Sequence, residues 1–444
     1  MSVALIELSP ETPVPLAAAA PPPPYRYRRL GLALAALLVL VLGGAAPASS
    51  ALWWRLGAVP LPAGGDFGVT ADRIYTTDLE ADPRVVTAWQ TDPVRRLWSI
   101  KTTAGEDDPL VVRELPGGLV TVAEGDGVSV RDSRTGAVRW VSPAPVQPLN
   151  DRIGVIQQQR FRPGTEYDPE SGDPGRLYGT NGGALHTEPA LSTELRGVEL
   201  AGGRQIWSVT VPGSVFTAWP DPPVSGLVLL SARKLTLLSP ATGAVLRERA
   251  VPRVDGRDPA MGEVVEDMVL VQFGDFREGG PVIAYELNTL DERWRQNRSD
   301  PAGNSAICSG LTCAVGHDDL TVLDPRTGTS RWRVAGADVF SLGTDSALQV
   351  EDGSIPLRAV SLDTGRTQVE LAGWREFSQV NGGDGYVLRR PDKGRSTAFG
   401  LLRPGRAAVQ PLGRIPGPVL NCTSVPGVVA CPTLDHVEVW AYRG

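Results

Sequence analysis

The amino-acid sequence predicts an all-β fold, a β-propeller of eight or nine four-stranded antiparallel blades. Three observations predict it. A turn followed four residues later by Trp recurs: Asp132-Ser133-Arg134-Thr135-Gly136 leads to Trp140, and Asp324-Pro325-Arg326-Thr327-Gly328 leads to Trp332. Turn anchors fall at 94, 136, 203, 243, 290, 328, 365 and 405, most of them 37 to 47 residues apart, which is the period of a propeller blade. The ends of this region also complement one another. Residues 51–58 read as a fourth strand without its first three, and residues 436–444 as a third strand without its fourth, so pairing them would close the ring and leave no open sheet edge.

Composition agrees with this reading. Of 444 residues, 42% are hydrophobic and 21% charged, enough apolar material for a large core and too much for whole-chain disorder. Fifty Gly and 39 Pro interrupt the chain too often for long helices. A net charge of −7, from 43 basic and 50 acidic residues, argues against a nucleic-acid-binding surface.

Residues 1–29 form an Ala- and Pro-rich stretch containing Pro21-Pro22-Pro23-Pro24, a composition that cannot bury a core and is expected to be a disordered cytoplasmic tail. Arg26, Arg28 and Arg29 then precede an apolar run over 30–46. As a helix it would be roughly 26 Å long, near the lower limit for crossing a bilayer. Positive charge before the run favours a single-pass signal anchor with the tail in the cytoplasm and residues 51–444 outside. Small residues at Ala46, Ala48 and Ala51 leave a cleaved secretory signal as the alternative. No Cys follows the run, which excludes the usual lipoprotein attachment.

The repeat begins at 51. Besides the two full copies, looser ones lead from Val94 to Trp98, Gly203 to Trp207 and Leu290 to Trp294; Thr242-Gly243, Thr364-Gly365 and Pro404-Gly405 keep the turn without the Trp. The sixth unit shows four β-prone runs, at 305–308, 311–315, 320–323 and 330–334, joined by Gly- and Asp-bearing turns. Runs such as Leu227-Val228-Leu229-Leu230 need not alternate with polar residues, because both faces of a blade pack on neighbours. A string of β-sandwiches would also give short, evenly spaced strands, but not one turn-to-Trp register copied along the chain. The long interval from 136 to 203 contains an insertion at about 160–194.

The Asp-x-x-Thr-Gly-x-x-x-Trp phrase at 132–140 and 324–332 resembles the tryptophan-docking motif of the PQQ-like propeller repeat family. That family includes quinoprotein alcohol dehydrogenases and the propeller lipoprotein of the outer-membrane β-barrel assembly machinery. The resemblance covers roughly 51–444 and implies that each Trp packs between adjacent blades. Physics agrees, since a large flat ring fills an inter-sheet gap and its N–H can reach a backbone carbonyl.

The family's dehydrogenases resemble one another in a vicinal Cys pair near the quinone, and no two Cys are adjacent here. Cys308 with Cys313 and Cys422 with Cys431 instead straddle turns between expected strands, where cross-strand disulfides can form outside the cytoplasm. Closing such short loops contributes about 2 kcal/mol each. His186, His317 and His436 lack the spacing of a metal site. No Gly-x-Ser-x-Gly elbow or phosphate loop is present. Glu166, Asp168, Glu170 and Asp173 cluster oxygen ligands in the insertion, but their spacing does not match a calcium loop and a solvated turn is the simpler reading. The expectation is therefore a non-catalytic, monomeric, membrane-anchored extracytoplasmic propeller with no cofactor. It would act as a platform for a protein partner, through its face or the 160–194 loop, or for a small ligand in its central channel. A quinoprotein-like oxidoreductase with a degenerate PQQ site is the alternative.

Overall fold

Short β-prone runs separated by turns become consecutive antiparallel strands, and the strands are gathered in fours along the chain. The computed structural model describes residues 52–104, 112–125, 127–172, 177–179, 184–219, 225–274, 280–296, 311–315, 319–419 and 421–443. The expected tail at 1–29 and apolar run at 30–46 lie outside them. Among the described residues no helix is long and apolar enough to cross a membrane. Residues 51–444 form one compact unit.

Nine sheets act as blades among the described residues, eight of four strands and one of three. Blades 1 to 8 span 66–101, 112–142, 146–212, 216–250, 259–296, 313–335, 338–370 and 376–416; blade 9 joins 423–442 to Trp53–Pro60. The count settles at nine. Blade 6 shows three strands among the described residues, and the expected run at 305–308 lies outside them. In blade 9, Trp53–Pro60 pairs antiparallel with His436–Tyr442, setting Trp53 opposite Tyr442 and Pro60 opposite His436. The insertion occupies 161–191, slightly less than expected, because Arg160 already pairs with Ser192.

Buried apolar clusters fill the gaps between blades. Val69 and Ile74 of blade 1 pack with Val437 and Val439 of blade 9, so the ring is closed by packing as well as by strand pairing. Val120 and Val122 meet Tyr75 and Val86 across the first gap, and Leu195 meets Leu227 and Leu229 across the third. Strands such as Leu227–Ser231 and Met268–Phe273 bury side chains on both faces, hence their unbroken apolar text.

Five gaps carry a docked Trp. The ring N–H groups of Trp98, Trp140, Trp207, Trp294 and Trp332 donate to the carbonyls of Ser133, Leu200, Pro240, Pro325 and Leu362 in the following blade, at 2.7 to 2.9 Å. Each ring lies flat on that blade's turn glycine. A Cβ at Gly136 would sit 2.9 Å from Trp98, and one at Gly243 would sit 2.8 Å from Trp207. These glycines also have positive φ, 73° and 67°, so the turn and the ring both require the missing side chain. The Asp of the phrase holds the turn: Asp132 Oδ1 accepts from the backbone N–H groups of Arg134 and Thr135 at 3.1 and 3.0 Å. A hydrogen bond from Arg139 helps to hold the Asp132 carboxyl at about 2.

Four gaps depart from this pattern. By strand register the equivalent positions are Arg247, Val369, Gly413 and Gly57. The Pro404-Gly405 turn is longer than its relatives, so the docking position of blade 8 falls at Gly413, opposite Phe399. Trp53 of blade 9 fills the space over Gly413 from the other side and stacks on Phe399 and Trp440, with centroids 5.1 and 5.3 Å apart. At the closing gap the partners are exchanged. Gly57 stands where the outer strand elsewhere has Trp, and Val94 stands where the turn elsewhere has Gly.

The closing seam carries a charged chain. Arg55 grips Glu438 through two hydrogen bonds of 2.7 and 2.9 Å. His436 Nε2 lies 3.1 Å from Glu438, and its Nδ1 lies 2.7 Å from Asp435. The Asp435 contact raises the imidazole above its ordinary 6.5, and Arg55 holds Glu438 below its ordinary 4.5.

Two predictions follow from this packing. Trp207→Ala should cost about 3–5 kcal/mol in denaturant unfolding. Gly243→Ala should cost clearly more than Gly405→Ala, for both have positive φ but only Gly243 underlies a ring. Because the folded His436 titrates above its unfolded value, its contribution is fully present below about 6.5 and lost as pH rises through the raised value. Melting temperature followed from pH 6 to 9 should therefore fall more in the wild type than in His436→Ala.

Candidate functional site

The inner strands of blades 4 and 5, with parts of blades 6 to 8, surround a central cavity of about 1340 Å³. Its wall includes Phe216 and Trp219 from blade 4, Gly262 and Glu263 from blade 5, and Thr312 and Arg331 from blade 6. Turns between first and second strands supply Gly343, Thr344 and residues 382–385. Three of the four residues at 382–385 are glycine, and a Cβ at Gly385 would sit 2.5 Å from Leu402 O. Tyr386 ties two of the lining blades together, donating from its hydroxyl to Ser341 O at 2.7 Å.

Glu263 is the distinctive group. It lies mid-strand in Pro259–Val265, and water reaches it through the cavity. Among the described residues it has neither a hydrogen bond nor an ion pair. The residue is exposed, but neighbouring protein atoms displace part of its water and push its carboxyl above the ordinary 4.5. Of the charged lining residues described, Glu266 faces Arg326 at 3.7 Å, and Arg331 is engaged by Asp324 at 3.0 Å and Asp363 at 3.5 Å. Asp384 is exposed on its turn. Glu266 and Arg331 are thus each paired, which leaves Glu263 and Asp384 as the unpaired charges among the described lining residues.

Residues 191–341, from the end of the insertion to blade 7, match the family model described as outer membrane protein assembly factor BamB. Over that third of the chain the repeat resembles the PQQ-like family. No curated protein matches the chain. Among solved structures, a eukaryotic initiation factor is 11% identical with a TM-score of 0.50, over 84% of this chain and 94% of its own; it shares the fold. BamB from Moraxella catarrhalis is 13% identical with a TM-score of 0.41, over 88% of this chain and 100% of its own. A europium-containing methanol dehydrogenase is 12% identical with a TM-score of 0.41, over 88% and 92%.

PQQ is a tricarboxylate, and the described residues of this cavity do not fit it. Their excess charge is negative, and their one cation is spoken for. Cys422 and Cys431 are disulfide-bonded with Cα atoms 4.2 Å apart, Cys422 just ahead of Thr423–Val425 and Cys431 within Val428–Pro432. This bridge links the first two strands of blade 9, away from the cavity wall. Cys313 is also disulfide-bonded, while Cys308 and His317 lie outside the described residues. His186 stacks on Phe161 with centroids 3.8 Å apart and sits 3.1 Å from Thr165 Oγ1, and His436 belongs to the seam. Asp168 caps a short 3-10 turn by accepting from Glu170 N at 2.9 Å. Among the described residues no cluster of His, Cys, Asp or Glu is placed to hold a metal.

Sequence reasoning did not single out Glu263. The available signal was an acid flanked by Gly262 and Val264 in the first strand of a unit, a position facing the channel once the blades are ringed. Since the raised carboxyl disfavours the charged state, its cost appears as pH rises through the folded value. Glu263→Gln should therefore melt higher than wild type at pH 7.5 and equal to it at pH 4, by differential scanning calorimetry.

Proposed function

We propose that the chain is a membrane-anchored, extracytoplasmic propeller without catalytic activity whose blades 2 to 4 form a platform for a protein partner. One observation carries the reading. Among the described residues, every exposed large apolar side chain except Leu434 falls in these three blades. Val138 and Val141 stand on the outer strand of blade 2, Ile206 on that of blade 3, and Val245 and Leu246 on that of blade 4. Leu185 and Leu191 add to them from the insertion. Apolar side chains gathered in one sector of a soluble surface mark contact sites more often than chance scatter does.

The insertion suits the same role. It joins the second and third strands of blade 3 and carries its own hairpin, in which Tyr178 pairs with His186. The Phe161–His186 stack and the Arg162–Glu188 ion pair at 3.1 Å tie its described residues together. A rigid ring that throws out one ordered loop is a common way to present a binding surface. The match of 191–341 to an assembly-factor family supports a partner-binding role. Membrane anchoring rests on Arg28-Arg29 followed by the apolar run at 30–46.

Protease added to intact cells should digest the propeller, and protection until lysis would refute the topology. A photo-crosslinker at Leu185 or Val141 should capture one protein reproducibly. Val138→Lys with Val141→Lys should abolish capture while leaving the melting temperature within about 2 °C, since surface changes rarely exceed about 0.5 kcal/mol. Turnover of an alcohol or sugar with an artificial electron acceptor by the purified protein would overturn the non-catalytic assignment.

A further inference from the structure

Beside the closing seam, the end of the ring where third strands finish and outer strands begin gathers unpaired positive charge. The third strand of blade 8 ends at Leu402 and its outer strand begins at Gln410; in blade 9, Tyr442 ends the third strand opposite Trp53, which opens the outer one. The turn at 403–409, longer than its relatives, carries the half-buried Arg403 and the exposed Arg406, and the exposed Arg443 follows Tyr442. The two segments meet, for the Gln410 side-chain amide donates to Arg443 O at 3.1 Å. Arg443 in turn lies over the Trp54 ring, its guanidinium carbon 5.4 Å from the centroid.

None of these three arginines has a carboxylate partner among the described residues. At two other such turns the arginines do: Arg326 faces Asp267 at 3.3 Å, and Arg139 faces Asp132 at 2.7 Å. The sequence explains the difference. From Lys393 to Leu434 the chain holds Lys393, Arg395, Arg403, Arg406 and Arg414 and neither Asp nor Glu, although its net charge is −7. Arg414 is taken by Asp392 at 2.8 Å, and Lys393 and Arg395 lie between the second and third strands, at the opposite end of the blade. Like charges left together in this way repel one another and favour an external anion.

The chain enters the ring at the same patch. Leu52 O accepts from Arg443 N at 3.1 Å, and only the uncharged residues 47–51 separate Leu52 in sequence from the apolar run at 30–46. Where a chain enters a bilayer, nearby Lys and Arg are drawn to anionic lipids and Trp favours the headgroup region. We propose that Arg403, Arg406 and Arg443, flanked by Trp54, dock this end of the seam onto the anionic headgroups of the bilayer that residues 30–46 enter. The inference rests on the membrane-anchored reading above. The insertion joins second and third strands, so it leaves the ring at the opposite end, and docking would keep that loop clear of lipid.

The test reconstitutes the full-length chain in phosphatidylcholine vesicles with and without phosphatidylglycerol, using a lipid with a headgroup nitroxide as quencher. No described cysteine is free, so a fluorophore can be placed at Ala408→Cys in the turn or at Leu434→Cys at the opposite end. With phosphatidylglycerol the label at 408 should be quenched and that at 434 should not, and quenching should fall as salt is raised. Arg406→Gln with Arg443→Gln should lower the ratio of docked to free rings about fivefold per arginine. Ala407→Glu, which adds a carboxylate at an exposed position, should lower it too. Equal quenching at 408 and 434, the same quenching without anionic lipid, or quenching that both variants leave unchanged would overturn the inference. Relief of quenching by inorganic phosphate, beyond that given by chloride at equal ionic strength, would reassign the patch to the free ion and overturn lipid docking. Release of the chain from vesicles by alkaline carbonate would overturn the anchor and this inference together, whereas retention with the 408 label unquenched would overturn the inference alone.

Discussion

The packing of one blade's outer strand onto the next blade's turn is the constraint on which the molecule depends. A blade alone would expose both apolar faces of its sheet, and only neighbours on either side can bury them. The docked Trp makes this contact specific. It fills the gap, lies on a glycine that can carry no side chain, and satisfies its ring N–H on a carbonyl of the following blade. At two of the four gaps without this Trp, bulk is supplied from the other direction, by Trp53 over Gly413 and by Val94 against Gly57.

Ring closure concentrates this logic in one place. Blade 9 takes three strands from the end of the described chain and one from its beginning, so strand pairing, the Val69–Val437 cluster and the Arg55–Glu438–His436 chain all act on one seam. The disulfide between Cys422 and Cys431 stiffens the same blade. A ring held at every gap is a stiff support for surfaces that must keep their shape. One such surface is the apolar sector on blades 2 to 4, and another is the cavity enclosed by blades 4 to 8.

Much of the architecture was legible in residues close together in sequence. The Asp-x-x-Thr-Gly turn is a local structure, set by a carboxylate accepting from two backbone amides and by a glycine at positive φ, so its copies at 132 and 324 can be seen without knowing what they touch. The complementary ends of the region, 51–58 and 436–444, were readable for the same reason. The eighth unit was harder. Its turn at 404–405 resembles the others, but extra residues before the outer strand shift the docking position to Gly413, and only the register with Phe399 reveals this.

Composition and repeat spacing by themselves determined an all-β ring of blades, the site of the insertion and the terminal strands that complete one another, because each follows from short-range turn chemistry and a fixed period. Tertiary structure decided that the blades number nine, that Trp53 fills its neighbour's gap, that the exposed large apolar residues described, Leu434 apart, share three blades, and that Glu263 lines a cavity. These properties arise from residues far apart in sequence. Whether a carboxylate is solvated, paired or stranded depends on which strands the closed ring brings around it, and a strand's own text carries no record of its neighbours.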